Sequence, residues 1–263
     1  MKDFSASVEA ERITKFLKKT YQKQGFDKAV IAVSGGIDSA VSLTLLTKAL
    51  GSEKIIPLFL PFGEQSTTDA RLICQFNQIL EENWFEHNIG SMVEAFAKEL
   101  KMDLFCLNQK ESGKEKNRLG NIMARCRMIV VYDTAKKHEA LVCGTKNQSE
   151  RKLGYFTRYG DGASDIEPIV HLLKKEVRVL AEYLAIPEKF IEKAPSAGLW
   201  QGQTDEDELG FSYDEIDQVI LAEELGKDLT KLNLDQEVMN KIKTRIKANN
   251  YKEKVPYELN PES

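Results

Sequence analysis

The stretch from residue 28 to residue 50 constrains the fold most, because an apolar run leads straight into a glycine turn and a helix. Residues 28–33 (KAVIAV) predict a buried strand, and residues 39–50 predict a helix that Gly51 ends. The pattern recurs, with predicted strands at 54–60, 84–89 and 139–143 and helices at 66–82, 91–100, 117–138, 174–184, 213–225 and 235–249. Such alternation predicts an α/β fold: a doubly wound, Rossmann-like parallel sheet with helices on both faces and a helical C-terminal part.

The domain organisation follows from the same pattern. We expect a single domain over residues 1–263, with a core at about 28–186 and a lid and helical part at about 187–263. Pro57 falls inside the second predicted strand, which indicates a bulge or an edge there. Residues 103–117 and 194–210 do not have the pattern of regular structure, and we predict that both are mobile lids in the absence of ligand.

Composition excludes some classes of protein. A net charge of −4 and a pI of about 5.6 disfavour a protein built mainly to bind nucleic acid. The chain has no run of 18 apolar residues and no secretory signal, so we expect no membrane partner. The four cysteines are scattered without metal-binding spacing, which favours reduced thiols and a cytoplasmic location.

The turn at residues 34–39 (SGGIDS) has the properties of a phosphate-binding loop. Its two glycines allow close approach of the backbone to a ligand, and the loop opens a helix whose free N–H groups favour an anion. Asp38 would repel a phosphate unless a magnesium ion lay between them. Neither a Walker A motif nor a GxGxxG motif occurs in the chain.

Two further loops follow predicted strands, at residues 60–65 (LPFGEQ) and 144–150 (GTKNQSE). Ligands of open parallel sheets bind at the carboxyl ends of the strands, so three polar loops there indicate a nucleotide site. Thr145 and Asn147 can form hydrogen bonds, and Glu150 is a potential second metal ligand. On the helical wheel Arg125 lies at the border of the apolar stripe, facing a cleft, whereas Arg127 is expected in solvent.

Several of these segments resemble a known family. Residues 32–39 (AVSGGIDS) resemble the pyrophosphate loop of the N-type ATP pyrophosphatases. Residues 144–168 (GTKNQSERKLGYFTRYGDGASDIEP) are similar to NAD synthetases within that superfamily, as are residues 121–127 (NIMARCR) and 195–210 (PSAGLWQGQTDEDELG). The resemblance covers roughly residues 28–217.

The resemblance implies a set of site residues. Asp38 and Glu150 would bind Mg²⁺, and Asp161 and Lys174 would be catalytic, with Asp161 at the ammonia site. The deamido-NAD contacts would be Arg125, Arg158, Asp165, Tyr251 and Lys252, although relatives often carry a His-Lys pair where this chain has Tyr251-Lys252. The ATP contacts would be Ala32, Val33, Ser34, Gly35, Gly36, Ile37, Asp38, Ser39, Gln65, Thr145, Lys174 and Ser196.

The implied reaction is ATP-dependent amidation of deamido-NAD with ammonia, through an adenylated carboxylate, to give NAD, AMP and pyrophosphate as the final step of NAD biosynthesis. The phosphate loop begins about thirty residues into the chain, which leaves no room for an attached glutaminase and favours ammonia as the nitrogen donor. The family also implies a homodimer. Two alternatives are another pyrophosphatase chemistry, such as tRNA thiolation or lysidine synthesis, and a nucleotide-binding regulatory module that is not an enzyme.

Overall fold

A parallel sheet lies at the centre of the computed structural model, which describes residues 4–104, 107, 113–196, 204–253 and 256–257. Within those ranges the sheet has four strands in the order β3-β2-β1-β4. The strands are β1 (Lys28–Ala32), β2 (Ile55–Phe59), β3 (Phe85–Glu86) and β4 (Ala140–Cys143). All three pairings are parallel, as the alternation of strands and helices predicts.

Helices connect the strands and continue beyond the sheet. They are α1 (Ala6–Gln24), α2 (Ile37–Leu50), α3 (Thr68–Phe76), α4 (Gly90–Glu99), α5 (Gly113–His138), α6 (Gln148–Leu153), α7 (Lys174–Tyr183), α8 (Glu188–Glu192), α9 (Asp205–Leu209), α10 (Tyr213–Glu224) and α11 (Gln236–Asn249). Over the ranges that the structure describes, we find no helix with the length and apolar character needed to cross a membrane.

The two faces of the sheet are each covered by helices, which makes the sheet doubly wound. Successive side chains of a strand point to opposite faces. Ala29 and Ile31 of β1 accordingly pack with α1, α2 and α7, whereas Val30 between them packs with α4 and α5. A third apolar cluster lies away from the sheet and joins α6, α9, α10 and α11. This cluster is the core of the predicted helical C-terminal part.

Pro57 lies at a position where β2 is paired on one side only, which agrees with the predicted edge, and its register with β1 runs without a bulge. Pro57 is in register with Ile31 of β1, and β2 has β3 on its other side. The strand β3 begins only opposite Leu58. Pro57 therefore has no β3 partner beside it, which reduces the cost of its missing N–H group.

Several predicted boundaries needed correction. The helix expected at residues 66–82 is only α3, and the strand expected at residues 84–89 is only the short β3. The segment predicted as irregular at 103–117 contains the start of α5, and the one at 194–210 contains α9. The rest of the mobility prediction falls largely on residues 105–106, 108–112 and 197–203, which lie outside the described residues.

Candidate active site

The SGGIDS loop joins β1 to α2 and is held by its own serines. The hydroxyls of Ser34 and Ser39 share a hydrogen bond of 3.1 Å, and the Ser39 hydroxyl donates to the Gly36 carbonyl at 2.9 Å. Gly35 has a φ of +77°, and a Cβ there would lie 2.7 Å from Cβ of Asp69. A side chain is therefore excluded at Gly35, and the loop lies directly against α3.

Asp38 is linked to the third predicted loop through Asn147. The Asn147 side chain caps α6 by accepting the Glu150 N–H at 2.9 Å, and Glu150 accepts the Asn147 N–H at 3.2 Å. The Asn147 amide also donates to Oδ1 of Asp38 at 2.8 Å, and Asn147 is fully buried. This capping box therefore joins the two predicted metal ligands, Asp38 and Glu150.

Lys174 begins α7 and places its ammonium between those two carboxylates. Its Nζ lies 2.5 Å from Oδ2 of Asp38 and 3.7 Å from Oε1 of Glu150. Only 2% of the Lys174 side chain is exposed, against 16% for Asp38 and 17% for Glu150. A buried charge requires such partners, because its desolvation is costly.

The electrostatics of this group keep Lys174 charged. Burial lowers the pKa of Lys174, but the carboxylates of Asp38 and Glu150 outweigh that effect and raise the pKa above its ordinary value. Burial, and after it the negative charge of Asp38, raise the pKa of Glu150 to about 8 against the opposing effect of the Lys174 ammonium. Glu150 therefore takes up a proton more readily than an ordinary glutamate.

The N-terminus of α7 is anchored by Asp217 of α10. Asp217 is fully buried; it accepts the Ser149 hydroxyl at 2.5 Å and the Lys175 N–H at 2.9 Å. The Lys174 N–H in turn donates to the Ser149 hydroxyl at 3.0 Å. Asp217 thus connects the helix that carries Glu150 to the helix that carries Lys174.

A second group of predicted residues gathers at the other end of α6, in the loop of residues 154–161. Lys252 donates to the carbonyls of Gly154 at 2.6 Å and Phe156 at 3.0 Å. The guanidinium of Arg158 lies 5.0 Å from the ring centre of Tyr251. Arg125 donates to the Arg158 carbonyl at 3.3 Å. Arg125, Arg158, Tyr251 and Lys252 therefore meet around one loop.

Asp161 closes that loop, since its carboxylate accepts the Thr157 N–H at 2.9 Å. The surrounding protein displaces water from Asp161 and raises its pKa, although part of the residue stays exposed. The hydrogen bond from Thr157 and the ammoniums of Lys146 and Lys252 lower that pKa in part. Burial lowers the pKa of Lys252, as does the neighbouring Arg245, while Asp161 opposes the decrease.

Arg127 holds the second predicted loop, residues 60–65, by hydrogen bonds. Arg127 donates to the Leu60 carbonyl at 3.0 Å and to Oε1 of Gln65 at 3.2 Å. The same Gln65 oxygen accepts the Phe62 N–H at 2.9 Å. The expectation that Arg127 is solvated was wrong, and of the two arginines it is Arg125 that is exposed.

Two lysines extend from α8 towards the phosphate loop. Lys193 donates to Oδ2 of Asp69 at 2.6 Å and to the Gly35 carbonyl at 3.2 Å. Lys189 pairs with Oδ1 of the same carboxylate at 2.7 Å. Two positive charges and one negative charge therefore lie beside the SGGIDS loop.

The remaining predicted residues lie around the strand ends and the SGGIDS loop. Asp165 accepts the Val142 N–H at 2.7 Å and so continues the edge of β4. Thr145 is half-buried between β4 and α6, and Ser196 is exposed. The loop residues Ala32, Val33 and Ile37 supply backbone and apolar packing around the phosphate loop.

Sequence reasoning did not assign some residues that the structure brings to the site. They are Ser149, Tyr213 and Asp217, together with Arg127. The N-x-x-E spacing of Asn147 and Glu150 is a capping-box signature that indicates α6. No local pattern indicates the contacts of Tyr213 and Asp217, which lie on α10.

Comparison with known proteins gives consistent matches over nearly the whole chain. The family model described as NAD synthase matches residues 9–256. The NH(3)-dependent NAD(+) synthetase of Thermoplasma acidophilum is 40% identical over 251 residues, which cover 95% of this chain and 97% of the relative.

Solved structures agree with the fold. An NMN synthetase from Francisella tularensis superposes with a TM-score of 0.82 at 32% identity, covering 98% of this chain and 100% of that one. An NH3-dependent NAD synthetase from Campylobacter jejuni, in complex with nitrate, gives a TM-score of 0.79 at 28% identity, covering 97% and 99%. These matches show that the chain belongs to the NAD synthase family.

Proposed function

We propose that this protein is an ammonia-dependent NAD synthetase, which uses ATP to amidate deamido-NAD and releases NAD, AMP and pyrophosphate. One observation carries the proposal: the buried Lys174 ammonium sits between Asp38 and Glu150 at the end of the phosphate loop. The family membership and the 40% identity to an NH(3)-dependent synthetase support the same assignment.

The first step joins the two substrates. A carboxylate oxygen of deamido-NAD attacks the α-phosphorus of ATP, and the bond from that phosphorus to the bridging oxygen of pyrophosphate breaks. Negative charge grows on the departing pyrophosphate. The Lys174 ammonium and the N–H groups at the start of α2 are suited to stabilise that charge, because both are fixed before the reaction.

Asp38 and Glu150 fit a Mg²⁺ ion. Magnesium prefers oxygen ligands and is usually held by one or two carboxylates together with phosphate oxygens and water. The described residues contain no cluster of three or more His, Cys, Asp or Glu side chains able to hold a metal, so phosphate oxygens would complete the coordination. The two carboxylates already flank a cation, the Lys174 ammonium. Bound there, Mg²⁺ would offset the repulsion between Asp38 and the phosphates.

The second step forms the amide. Ammonia attacks the carbonyl carbon of the adenylate, and AMP leaves with the oxygen that formerly belonged to the carboxylate. We assign the ammonia site to Asp161, whose carboxylate can accept a proton from the attacking nitrogen. Arg125, Arg158, Tyr251 and Lys252 surround the Asp161 loop and would bind the dinucleotide. The positive charges of Arg125, Arg158 and Lys252 suit its phosphates.

An activity assay tests the proposal. Purified protein is incubated with ATP, Mg²⁺, deamido-NAD and ammonium, and the products are separated by chromatography. Equal amounts of NAD, AMP and pyrophosphate are expected. ADP in place of AMP, or turnover only with glutamine, would contradict the assignment.

A second candidate is the amidation of the corresponding mononucleotide, which the likeness to the NMN synthetase of Francisella tularensis favours. The same assay distinguishes the two candidates when nicotinic acid mononucleotide replaces deamido-NAD. We expect the higher kcat/KM with the dinucleotide, since the relative at 40% identity is an NAD synthetase. A preference for the mononucleotide would support the second candidate instead.

We also propose that the protein is a homodimer. Phe96 and Leu100 belong to the α4 region and Ile129 to α5, which packs against α4, and all three side chains are exposed. Exposed large apolar groups favour burial in an interface. Light scattering of the wild type should give twice the mass of one chain, and Ile129→Glu should give the monomer mass. A monomeric wild type would contradict this proposal.

A further inference from the structure

Tyr213, the first residue of α10, brings the helical C-terminal part into contact with the reaction centre. Its side chain is fully buried, and the Lys174 ammonium lies 4.8 Å from the centre of its ring. An aromatic face attracts a cation within about 6 Å of its centre. The Lys174 ammonium therefore lies beside this ring as well as beside the carboxylates of Asp38 and Glu150.

The hydroxyl at the tip of the Tyr213 side chain forms a hydrogen bond with Asp205. Tyr213 donates to Oδ2 of Asp205 at 2.9 Å, and Tyr155 donates to Oδ1 of the same carboxylate at 3.2 Å. Asp205 is only 4% exposed, and its N–H donates to the Pro195 carbonyl at 2.9 Å. Burial and the nearby carboxylates raise the pKa of Tyr213 far above its ordinary value, so the phenol remains a neutral donor.

We propose that Tyr213 is a positioning residue for Lys174: its ring holds the ammonium beside Asp38. This deepens the proposed function and rests on it, because the role of Lys174 is to bind the phosphates of ATP. A lysine side chain has four rotatable bonds, so an unguided ammonium would lose much of its contact with a phosphate.

A neutral ring suits this role better than another acidic group. A third carboxylate in contact with Lys174 would neutralise the charge that the phosphates require. The ring attracts the ammonium through its quadrupole without adding net negative charge. Tyr213 therefore restricts Lys174 while leaving its charge available to ATP.

Two variants of the full-length protein separate the ring from its hydroxyl. Tyr213→Phe keeps the ring, and Tyr213→Leu removes it while leaving an apolar side chain. The affinities for Mg·ATP, Mg·pyrophosphate and AMP are measured by calorimetry without the second substrate. We expect the Phe variant to bind ATP and pyrophosphate within about threefold of the wild type, and the Leu variant to bind both about tenfold more weakly, the order of one desolvated cation–π contact.

AMP affinity should stay unchanged in both variants, because AMP lacks the two terminal phosphates. Wild-type affinity for ATP in the Leu variant, or equal losses in the Phe and Leu variants, would overturn the proposal. These binding measurements do not depend on NAD formation. Failure of the positioning role is therefore distinguishable from failure of the proposed function, which would appear as absence of turnover in the wild type.

Ile216→Ala is the matched control for loss of packing. Ile216 lies on the same helix and in the same apolar cluster, and it is fully buried. The control should lower the melting temperature yet leave ATP affinity near that of the wild type. If Ile216→Ala lost as much ATP affinity as Tyr213→Leu, the proposal would be overturned, because general loss of packing would then explain the weaker ATP binding.

A double-mutant cycle supplies a second test. In a Lys174→Gln background, Tyr213→Leu should weaken pyrophosphate binding no further, because the ammonium that the ring positions is absent. Independent, additive losses would overturn the proposal.

Discussion

The ammonium of Lys174 lies 2.5 Å from Oδ2 of Asp38, although the two residues are 136 positions apart in the chain. Asp38 belongs to the phosphate loop, and Lys174 to the first turn of α7. The fold therefore joins an acidic group that suits a metal to a basic group that suits a phosphate.

Loss of either partner should reduce turnover severely. We expect Asp38→Asn and Lys174→Gln each to lower kcat at least about a hundredfold, because each removes a charge fixed at the phosphates. The double variant should be little worse than either single one, since the residues act as a unit. Lys175→Gln is the control, because Lys175 contacts Asp217 through its backbone N–H. Steady-state kinetics that give Asp38→Asn a kcat near the wild-type value would exclude this role.

Glu150 should make stability depend on pH. Its pKa is raised from 4.5 to about 8, chiefly by burial and then by Asp38, so between these values the folded state binds a proton that the unfolded state has lost. In the absence of metal, the free energy of unfolding should fall as pH rises from 5 to 8, by at most about 1.4 kcal/mol per pH unit.

Denaturant titrations at several pH values measure that slope. Glu150→Gln should flatten it and should unfold less readily than the wild type at pH 8 without metal. Glu182→Gln, on the exposed side of α7, should keep the wild-type slope. Added Mg²⁺ should stabilise the wild type more at pH 8 than at pH 6, because metal binding requires the ionised carboxylate. Equal slopes in the wild type and Glu150→Gln would contradict this account.

Lys193 should contribute to ATP binding, whereas Lys189 should not. Both lysines pair with Asp69, but only Lys193 is also bonded to the Gly35 carbonyl of the phosphate loop. We expect Lys193→Gln to raise the KM for ATP about three- to tenfold, the effect of one exposed charge on a phosphate. Lys189→Gln controls for the lost ion pair. Equal changes in KM for the two variants would show that only the pairing with Asp69 matters.

The two arginines of α5 should differ in what they affect. Arg127→Met removes two hydrogen bonds to the loop of residues 60–65 from a desolvated guanidinium, so we expect a loss of roughly 1–3 kcal/mol in the free energy of unfolding. Arg125 is exposed, and Arg125→Met should leave stability within about 0.5 kcal/mol and raise the KM for deamido-NAD. Thermal melts and kinetics on both variants check this. A loss of stability in Arg125→Met but not in Arg127→Met would support the helical-wheel prediction instead.

The local patterns of the sequence were sufficient for the segment of β1, the SGGIDS loop and α2, which we propose binds ATP. The apolar run before SGGIDS predicts β1, and the glycines predict a loop that opens α2, because both depend on neighbours in the chain. The helix α1 was not predicted, although Ala10, Ile13, Leu17 and Tyr21 recur at helical spacing and are all buried.

Contacts between distant segments were beyond the reach of such patterns. The helical wheel places Arg127 away from the apolar stripe. A wheel contains no information about other segments, and here the loop after β2 covers Arg127. Similarly, Tyr213 and Asp217 have the pattern of an ordinary helix start, and only the packing of α10 on α7 brings them to Lys174 and Lys175. Their roles depend on tertiary structure.

Isotope transfer from the carboxylate tests the central claim most directly. Deamido-NAD labelled with ¹⁸O in its nicotinate carboxylate is converted with unlabelled ATP, Mg²⁺ and ammonia, and the AMP is analysed by mass spectrometry. Attack of the carboxylate on the α-phosphorus predicts one ¹⁸O atom in each AMP and none in pyrophosphate. Unlabelled AMP, or label in a phosphate product, would contradict activation by adenylation.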